Sequence, residues 1–575
     1  MMQPRAEYPN PQFERASYIS LNGPWRFSSP AVGEREITVP FCPESRLSGI
    51  GFTDFIGECT YSRTFRIPPA AAKERIFLHF GAVDYEAEVF INGVRVGAHR
   101  GGYTPFSFDI SHLVGDGDNE IVVHVRDDPK ADVPSGKQSD TRESHGCFYS
   151  RVTGIWQPVW LERTPEAYIK SVRYFPHPET TSVGVEGCVE GEGDVAIEAF
   201  LDGKTAGRTG GHVTGRRTFP LALSARRLWE PGKGGLYDVV LRYGKDEVKS
   251  YFGLRDVRFE GMKFLINGVS VFQRFVLDQG YHPDGLYTAP DEASMIRDIR
   301  LSMGLGFNGA RLHQKVFEPR FLYHCDRLGY MVWGEFPSWG VKYDGLSALG
   351  AVAGEWTEAV ERDFNHPCIV TWCPLNETWE NLDDPTKVRD VRFVDAMYAL
   401  TKALDPTRPC VDVSGGYHGH RTDLYDFHDY LDPGTVRGHL EALETRDELV
   451  MDKIYAPGFA GETFRYPAGT PANASEYGGI RYSTNGEDGW GYRTIRSEES
   501  FSKSYEELTG SLLACGKLSG FCYTQLYDVE QEQNGLLRYD RSPKFGEETM
   551  RRIAACNRQP AAIETAQPGK SPRDL

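Results

Sequence analysis

The alternation of apolar and polar residues follows a period of two over the first 256 residues of the chain. The stretch VFINGVRVG (89–97) is an example, and such alternation is typical of half-buried strands. Asn92 and Gly93 separate its two apolar runs and predict a tight hairpin. We therefore predict two β-sandwiches, a jelly-roll-like one over residues 1–164 and an immunoglobulin-like one over residues 165–256.

From residue 257 the pattern changes to a repeated order of strand, loop and helix. The stretch 291–304 carries Met295, Ile299 and Met303 at helical spacing and ends at a glycine, which predicts a helix. Eight apolar segments of strand length alternate with such helices, and a (β/α)8 TIM barrel over residues 257–557 is the closed fold that this order predicts. The polar, proline-containing residues 558–575 are predicted to be a disordered tail.

Composition excludes several classes of partner. The formal net charge of −17 over 575 residues argues against nucleic acid or an anionic membrane. The 11 cysteines include no C-x-x-C pair, so neither a zinc site nor a disulfide framework is predicted. No apolar run approaches about 18 residues, and the first ten residues lack the apolar segment of a signal peptide. We therefore expect a cytoplasmic protein with no cofactor and no membrane contact.

Two carboxylates fall at the predicted ends of barrel strands. Glu377, in TWCPLNETWE (371–380), closes the fourth predicted strand, and Glu476, in ANASEYGG (472–479), closes the seventh. Because the chemistry of such barrels lies at the C-terminal ends of the strands, both side chains can point into one pocket. Cleavage of an acetal requires two such groups, one to protonate the leaving oxygen and one to attack or to position water. A helix cap or turn is the commoner role of a single Asn-Glu pair, so the second glutamate is what favours catalysis.

Other residues on the predicted barrel loops are candidates for binding sugar. His282 and Asp284 follow the first strand, where hydroxyl recognition and a simple turn are equally good interpretations. Trp339 and Trp490 lie on loops after the third and seventh strands, where an exposed indole can stack on a sugar ring, although loop packing is commoner. Tyr523 is predicted to line the pocket floor from the eighth strand.

Motifs along nearly the whole chain, about residues 8–555, resemble glycoside hydrolase family 2. The motifs of the first sandwich and then of the barrel occur in the order that the family shows: SLNGPWRF, FGAVDYEAEVFINGVRVG, GGYTPFSFDI, GIWQPVWLE, GFNGARLHQ, CDRLGYMVWGE, NHPCIVTWCPLNE, SEYGG and YTQLYDVEQEQNGL. The resemblance implies a sugar-binding sandwich, a catalytic barrel and a retaining β-glycosidase. The family includes β-galactosidases, β-glucuronidases and β-mannosidases.

The resemblance also implies roles for individual residues. Glu377 matches the general acid/base of the family, and Glu476 matches the nucleophile. Asn376 matches an asparagine that contacts the sugar 2-hydroxyl. Arg311 matches an arginine beside the nucleophile, and Tyr430 matches a tyrosine that hydrogen-bonds it. An ionised nucleophile and a protonated acid need different surroundings, and an arginine beside only one of them would supply that difference.

The sequence departs from the family pattern at two places. Where β-galactosidases often have Arg-x-x-His, this chain has Gln314, with His313 one residue earlier. The Asn-x-Lys motif that binds the sugar carboxylate in β-glucuronidases has its nearest counterpart at Asn534, without the lysine. That absence counts against glucuronides, unless Lys315 or Lys544 takes the role of the missing lysine.

The sequence thus favours a retaining exo-β-glycosidase for a neutral, galactose-like sugar. A β-glucuronidase or another β-glycosidase of the family, a transglycosidase and a non-catalytic glycan-binding protein are the alternatives. The expected partner is a carbohydrate substrate, a homo-oligomer is compatible with the sequence, and no metal ligands are assigned. Glu335, at the end of the third predicted strand, is interpreted as a hydrogen-bonding group before a metal ligand.

Overall fold

The computed structural model describes most of the chain and begins with a region of antiparallel strands. The described residues are 3–71, 73–378, 390–416, 418–450, 463–467, 469–484 and 488–565. The strands of the first region are β1 (Ile19–Ser20), β2 (Gly23–Ser29), β3 (Gly33–Val39), β4 (Glu58–Phe65), β5 (Glu74–Phe80), β6 (Val83–Asp84), β7 (Glu86–Ile91), β8 (Val94–Arg100), β9 (Phe106–Asp109), β10 (Asn119–Arg126), β11 (Gly154–Ile155) and β12 (Val159–Pro165).

These strands form a sandwich of two main sheets. One sheet has the strand order β1-β12-β5-β9 and the other has the order β3-β2-β4-β10-β7-β8. Alternate apolar side chains, such as Ile121 and Val123 of β10, are buried between the sheets. Asn92 and Gly93 join β7 to β8 with φ angles of 50° and 78°, the left-handed values that a two-residue hairpin turn needs. The sandwich and its hairpin confirm the prediction from the period of two.

The second region is built around one long hairpin. Its strands are β13 (Tyr168–His177), β14 (Ser182–Leu201), β15 (Lys204–Ala222), β16 (Leu236–Tyr243) and β17 (Asp246–Gly253). The first half of β14 pairs with β13 and the second half pairs with β16, while β15 follows β14 along both halves. The register of the β14–β15 pair breaks between Cys188 and Glu192. Buried residues of all five strands form a single core.

The third region contains parallel strands and helices in alternation. A small antiparallel sheet of β18 (Val257–Glu260), β19 (Lys263–Ile266) and β20 (Val269–Ser270) precedes them. The remaining strands are β21 (Gln273–Asp278), β22 (Gly309–Leu312), β23 (Met331–Glu335), β24 (Ile369–Cys373), β25 (Tyr425–Asp429), β26 (Glu448–Val450), β27 (Thr463–Arg465), β28 (Ala472–Gly478), β29 (Ile480–Tyr482), β30 (Arg493–Ile495) and β31 (Leu518–Thr524). The helices are α1 (Glu292–Gly304), α2 (Pro319–Leu328), α3 (Leu349–Asp363), α4 (Val391–Leu404), α5 (Pro433–Arg446), α6 (Glu498–Ala514), α7 (Glu547–Asn557) and α8 (Ala562–Thr565).

The parallel strands follow the order of a TIM barrel, which confirms the predicted fold. The sheet has the order β24-β23-β22-β21-β31-β28-β25. Residues 409–414 take the place of the fifth barrel strand, because the N–H of Val411 bonds the carbonyl of Trp372 at 3.0 Å and the N–H of Ser414 bonds that of Leu375 at 2.9 Å. The C-terminal ends of these strands therefore meet at one face of the barrel, as in other TIM barrels.

The end of the barrel lies later than the sequence predicts. Part of the predicted tail, residues 558–565, belongs to the fold and includes α8, in which Glu564 forms a 2.6 Å ion pair with Arg274 of β21. The prediction for residues 566–575 lies outside the described residues. Among the residues that the structure describes, no helix combines the length and the apolar character needed to cross a bilayer.

Candidate active site

Glu377 lies beyond the end of its strand rather than at its last residue. The strand β24 ends at Cys373, and three residues separate it from Glu377, whose backbone has a φ of 38°. The N–H of Glu377 donates to the carbonyl of Ser414 at 2.9 Å, so the segment that acts as fifth strand fixes this position. A non-glycine residue with positive φ is uncommon and is held here by the surrounding hydrogen bonds.

Glu476 lies inside β28, where a β-bulge sets its direction. Phe427 of β25 pairs with Ala474, but the next residue, His428, pairs with Glu476, so β28 has one extra residue at Ser475. The pairing with β31 is interrupted in the same interval. Bulges of this kind re-aim side chains beside active sites. As a result, both Ser475 and Glu476 face groups of neighbouring strands inside the barrel.

The two glutamates and a histidine form one compact group. Glu377, His428 and Glu476 are all buried, and each offers one side-chain atom within 4.8 Å of the other two. The His428 Nδ1 lies 2.5 Å from Oε1 of Glu377 and 3.5 Å from Oε2 of Glu476. The structure therefore brings together the two carboxylates that the sequence places on separate strands.

His428 is positioned to carry a positive charge between the carboxylates. Burial alone would lower the pKa of His428, but the charges of Glu476 and Glu377 and the hydrogen bond to Glu377 raise it to about 9. Its Nε2 lies 3.2 Å from Oγ of Ser414, whose hydroxyl in turn donates to Ser475. From the sequence, His428 is a candidate for hydroxyl recognition of the same standing as His282, and the structure places it between the two carboxyl groups instead.

Arg311 of β22 forms a hydrogen-bonded ion pair with the Glu476 carboxylate. Its Nη1 donates to Oε1 of Glu476 at 2.7 Å, and the hydroxyl of Tyr430 donates to Oε2. Burial alone would raise the pKa of Glu476, but the charges of His428, Arg311 and other nearby cations lower it to about 2. Glu476 is therefore a buried carboxylate that stays ionised.

Asn376 shares the same guanidinium and keeps one free donor. Its Oδ1 accepts from Nη2 of Arg311 at 2.5 Å, its N–H donates to Oγ of Ser338 at 3.0 Å, and its carbonyl accepts from Nε1 of Trp339 at 3.1 Å. The buried Nδ2 of Asn376 has no hydrogen-bond partner among the described residues. An unpaired buried amide N–H is costly, so this group is suited to a ligand acceptor.

Glu335 supports the arginine, and His313 lies beside Glu335. Both oxygens of Glu335 are used, one by Nε of Arg311 and the other by the backbone N–H of Gln314 at 3.0 Å. The Nδ1 of His313 lies 2.9 Å from Glu335 and 4.0 Å from Glu476. Burial lowers the pKa of His313 well below its usual value, and the charge of Arg311 adds to this effect. The hydrogen-bonding interpretation of Glu335 thus matches its contacts.

His282 and Asp284 lie away from the carboxylates, contrary to the expectation that they face the pocket. His282 is buried, and its backbone pairs with Leu286 in a turn. The carbonyl of Asp284 accepts from the N–H of Leu47 at 3.0 Å, and its half-exposed carboxylate lies 3.6 Å from Arg46 of the first sandwich. The turn interpretation is therefore the one that the contacts of this loop support.

The three aromatic candidates occupy different environments. Tyr523 faces outward from β31 and packs against Tyr505 of α6 at 4.9 Å between ring centroids, so it does not line the pocket floor. Its neighbour Thr524 faces the site instead, since its Oγ1 lies 3.2 Å from the hydroxyl of Tyr430. Trp339 is only 8% exposed, which leaves no open face for sugar stacking.

Trp490 remains a candidate for contact with substrate. It is partly exposed, and its backbone bonds the carbonyl of Gln531 at 2.7 Å and the N–H of Gln533 at 2.8 Å. Its ring meets Tyr492 at 4.8 Å, and Tyr492 stacks on Tyr430 at 3.5 Å between centroids. The ring of Tyr492 therefore separates Trp490 from Tyr430, the tyrosine that bonds Glu476.

Lys137 of the first sandwich reaches this site, although the sequence gives no indication of it. Its ammonium lies 4.1 Å from the ring centroid of Trp339, and its charge is among those that lower the pKa of Glu476. The two lysines considered from the sequence are used elsewhere. Lys315 donates to the carbonyls of Gly280 and Tyr287 at 2.7 Å each. Lys544 has the carboxylate of Asp528 and two backbone carbonyls as acceptors.

Two buried groups of the described residues have the geometry of metal ligands. One is the group of Glu377, His428 and Glu476, and the other is Asp326 with His366 and Cys368. In the second group His366 and the N–H of Cys368 already bond the Asp326 carboxylate, at 2.6 and 2.9 Å. In the first, the positive charge of His428 lies between the two carboxyl groups, where a metal ion would otherwise supply it.

Comparisons with known proteins agree with this arrangement. Residues 51–165 match the profile described as glycosyl hydrolases family 2, sugar binding domain, and residues 257–463 match that of the family's TIM barrel domain. A β-glucuronidase of Paenibacillus borealis is 28% identical over 446 residues, which is 68% of this chain and 72% of that protein.

Two further relatives differ in their sugar. A β-galactosidase of Thermoanaerobacter pseudethanolicus is 27% identical over 405 residues, 64% of this chain and 50% of that protein. The solved structure of a β-D-glucuronidase of Dictyoglomus thermophilum superposes with a TM-score of 0.77 at 21% identity, covering 96% of this chain and 99% of the other. This last likeness concerns the fold alone.

Proposed function

This chain belongs to glycoside hydrolase family 2, and we propose that it is an exo-β-glycosidase that hydrolyses terminal β-linked sugars with retention of the anomeric configuration. In this proposal Glu476 is the nucleophile and Glu377 is the general acid/base. The reaction passes through a covalent glycosyl-enzyme that water then hydrolyses. The first two described regions hold a sugar-binding-like sandwich and an immunoglobulin-like sandwich, and the barrel holds the site.

The observation that carries the proposal is the distance between the two carboxylates. One oxygen of Glu377 and one of Glu476 lie within 4.8 Å of each other. Retaining glycosidases hold their carboxyl groups at about 5–5.5 Å, whereas inverting ones need about 6.5–9.5 Å to admit a water. A pair this close favours direct attack by one carboxylate on the anomeric carbon.

The surroundings of Glu476 suit a nucleophile. The charges of His428 and Arg311 hold its pKa at about 2 and keep it ionised. Hydrogen bonds from Arg311 and Tyr430 fix its two oxygens. One of its oxygens forms a bond to the anomeric carbon while the bond from that carbon to the leaving oxygen breaks. Arg311 and Tyr430 then remain to orient the resulting ester for the second step.

Glu377 would supply and later remove a proton. In the first step its proton passes to the leaving oxygen, and the charge of His428, 2.5 Å away, stabilises the carboxylate that remains. In the second step this carboxylate takes a proton from the attacking water, which releases the sugar from Glu476. The unpaired Nδ2 of Asn376 is placed to bond a hydroxyl of the same sugar.

A panel of aryl β-glycosides tests this function. We expect turnover of one sugar class by the wild type, with the β-anomer of the product appearing first by NMR, and loss of turnover to background in Glu476→Gln. In Glu377→Ala, azide should restore activity on activated aryl glycosides and yield a β-glycosyl azide. Initial release of the α-anomer would instead show inversion.

A buried glutamate outside the site provides the control. Glu355 of α3 accepts from the N–H of Tyr103 at 2.7 Å, and burial raises its pKa to about 8, so glutamine resembles its resident form. Glu355→Gln should retain activity. If the wild type turned over no sugar of the panel but bound one, the non-catalytic glycan-binding alternative would apply. Products longer than the substrate would identify a transglycosidase.

The preferred sugar is a separate part of the proposal. A neutral, galactose-like sugar is the class that the sequence favours, and the similarity to a β-galactosidase supports it. A uronic acid is the class that the β-glucuronidase similarity supports. The panel must therefore contain galactoside, glucoside, mannoside, glucuronide and galacturonide, so that neutral and acidic sugars are compared directly.

A further inference from the structure

A loop of the first sandwich is fixed onto the barrel beside the candidate active site. The N–H groups of Ser135 and Gly136 both donate to the carbonyl of Trp339, at 2.8 and 3.1 Å. Gly136 has a φ of 60°, and a Cβ there would lie 2.4 Å from the carbonyl oxygen of Gln314. Only glycine allows this approach, and the close contact sets the position of the next residue, Lys137.

The Lys137 side chain is buried against the same tryptophan that supports Asn376. Lys137 is 6% exposed, and its ammonium lies over the Trp339 ring at 4.1 Å. The indole N–H of Trp339 donates to the carbonyl of Asn376 at 3.1 Å. The ammonium is therefore separated from the candidate sugar-binding asparagine by a single side chain.

Lys137 lacks the acceptors that other buried lysines have. No carboxylate of the described residues lies within 4.0 Å of its ammonium, which contacts the Trp339 ring and the thiol of Cys147. Lys315, by contrast, is held by two carbonyls, and Lys544 is held by a carboxylate and two carbonyls. A buried ammonium without an anion is costly unless something else supplies the charge.

The nearby Glu532 is directed to other partners. One of its oxygens accepts from the hydroxyl of Tyr149 and the other from Nδ2 of Asn534 at 2.8 Å. Burial alone would lower the pKa of Lys137, but its interactions with Cys147, Glu532, Glu476 and Glu377 raise it. Lys137 thus stays charged in a negative environment while its ammonium has no ion-pair partner among the described residues.

We propose that Lys137 binds the carboxylate of a uronic acid in the active site, which makes β-linked hexuronides the substrate class. The inference rests on the proposed glycosidase function and differs from the neutral sugar that the sequence favours. The cation would come from the sandwich loop rather than from the barrel segment around Asn534, where the expected lysine is missing. A carboxylate gives such an ammonium a charge-assisted bond, which a hydroxyl group does not.

The test compares matched pairs of substrates that differ only at C6. These are the aryl β-glucuronide with the β-glucoside and the β-galacturonide with the β-galactoside. In Lys137→Met, we expect the ratio of kcat/KM for the uronide to that for its neutral partner to fall by about 10- to 100-fold, the effect of losing one charge-assisted bond. Lys137→Arg should restore much of that ratio, and Lys130→Met, at an exposed lysine before the loop, should leave it unchanged.

Each outcome has a distinct meaning. If the wild type prefers the neutral sugar of either pair, or if Lys137→Met lowers activity on both members by the same factor, the assignment of Lys137 is wrong while the glycosidase function stands. If the wild type turns over none of the four substrates and no other panel member, the proposed function itself fails. The wild-type ratio needs no variant, so it tests the hexuronide substrate class even if Lys137→Met does not fold, and the ratio in Lys137→Arg then tests the residue.

Discussion

Nη1 of Arg311 donates a 2.7 Å hydrogen bond to Oε1 of Glu476 in the interior of the barrel, where the two side chains are 0% and 5% exposed. The same guanidinium bonds Glu335 through Nε and Asn376 through Nη2. One side chain thus joins the second, third, fourth and seventh strand positions. Its charge is one of the causes of the low pKa of Glu476.

Replacing Arg311 by lysine should therefore raise the pKa of Glu476 and lower activity. A lysine has a single ammonium and cannot bond Glu335, Asn376 and Glu476 in the planar geometry of a guanidinium. We expect kcat/KM to fall by about 100-fold or more, as for the loss of two charge-assisted bonds. The acidic limb of kcat/KM against pH should also move to higher pH, because Glu476 loses the 2.7 Å hydrogen bond from the guanidinium and is then protonated more easily.

Arg541 offers a matched control for this variant. It is also a buried arginine, but its partners are Asp298, at 2.9 Å, and backbone carbonyls remote from Glu476. Arg541→Lys should lower the melting temperature without moving the acidic limb. An unchanged acidic limb in Arg311→Lys would show that the guanidinium hydrogen bond is not what keeps Glu476 ionised.

His428 should make the stability of the protein depend on pH. Its pKa in the folded protein is about 9, above the usual 6.5, because the carboxylates of Glu476 and Glu377 favour its charged form. The stabilisation is present in full below about pH 6.5 and is lost as the pH rises through 9; it amounts to roughly 3 kcal/mol at 1.36 kcal/mol per pH unit. The difference in melting temperature between the wild type and His428→Gln should thus be larger at pH 6 than at pH 10.

An exposed histidine provides the comparison for this experiment. His112→Gln, on the surface of the first sandwich, should give the same small difference at both pH values. If His428→Gln also gave a difference that does not depend on pH, then His428 would not be charged between the carboxylates. Activity should follow the same titration, because deprotonated His428 no longer stabilises the carboxylate of Glu377.

The sequence predicted the architecture because its signals are local and repeated. Alternating strands, the Asn92-Gly93 turn and the barrel segments each depend on a few neighbouring residues, and the fold confirms them. The approach of Glu377 to Glu476 could be predicted because strand ends of a barrel share one face. The bulge at Ser475 could not, since it depends on the pairing of β28 with both neighbouring strands.

Long-range contacts account for the residues that the sequence misplaced or missed. The alternation along β31 predicts that Tyr523 and Thr524 face opposite sides, but it does not tell which side faces the barrel interior. In the structure Tyr523 packs against helix α6. Asp284 faces the first sandwich, which sequence spacing cannot indicate. Lys137 lies more than 200 residues before Glu377, and only the docking of Gly136 on the barrel brings it to the site.

The two candidate tryptophans should behave differently when each is replaced by phenylalanine. Trp339→Phe removes the indole N–H that bonds the carbonyl of Asn376, so kcat/KM should fall by about tenfold for every substrate. Trp490 is partly exposed and contacts Tyr492 rather than a catalytic group. Trp490→Phe should change kcat by less than about twofold, and its main effect should be on KM. Equal losses in both variants would contradict this distinction.

Lys544 should prove to be structural, in contrast to Lys137. Its ammonium bonds the carboxylate of Asp528 and the carbonyls of Gln533 and Gly535, so it holds together the loop that carries Glu532. Lys544→Met leaves a buried carboxylate unpaired, at a cost of about 3–5 kcal/mol, and should lower the melting temperature by roughly 6–20 °C. Lys503→Met, at an exposed lysine of α6, should leave the melting temperature unchanged.

The same variant separates a structural lysine from one that recognises substrate. Because Lys544 bonds only protein groups in the described residues, its loss should lower activity on a hexuronide and on the matching neutral glycoside by the same factor. A selective loss on the hexuronide would show that Lys544, and not only Lys137, recognises the sugar carboxylate. The comparison therefore tests whether the ammonium that binds the sugar carboxylate is Lys137 of the sandwich loop or Lys544 of the barrel.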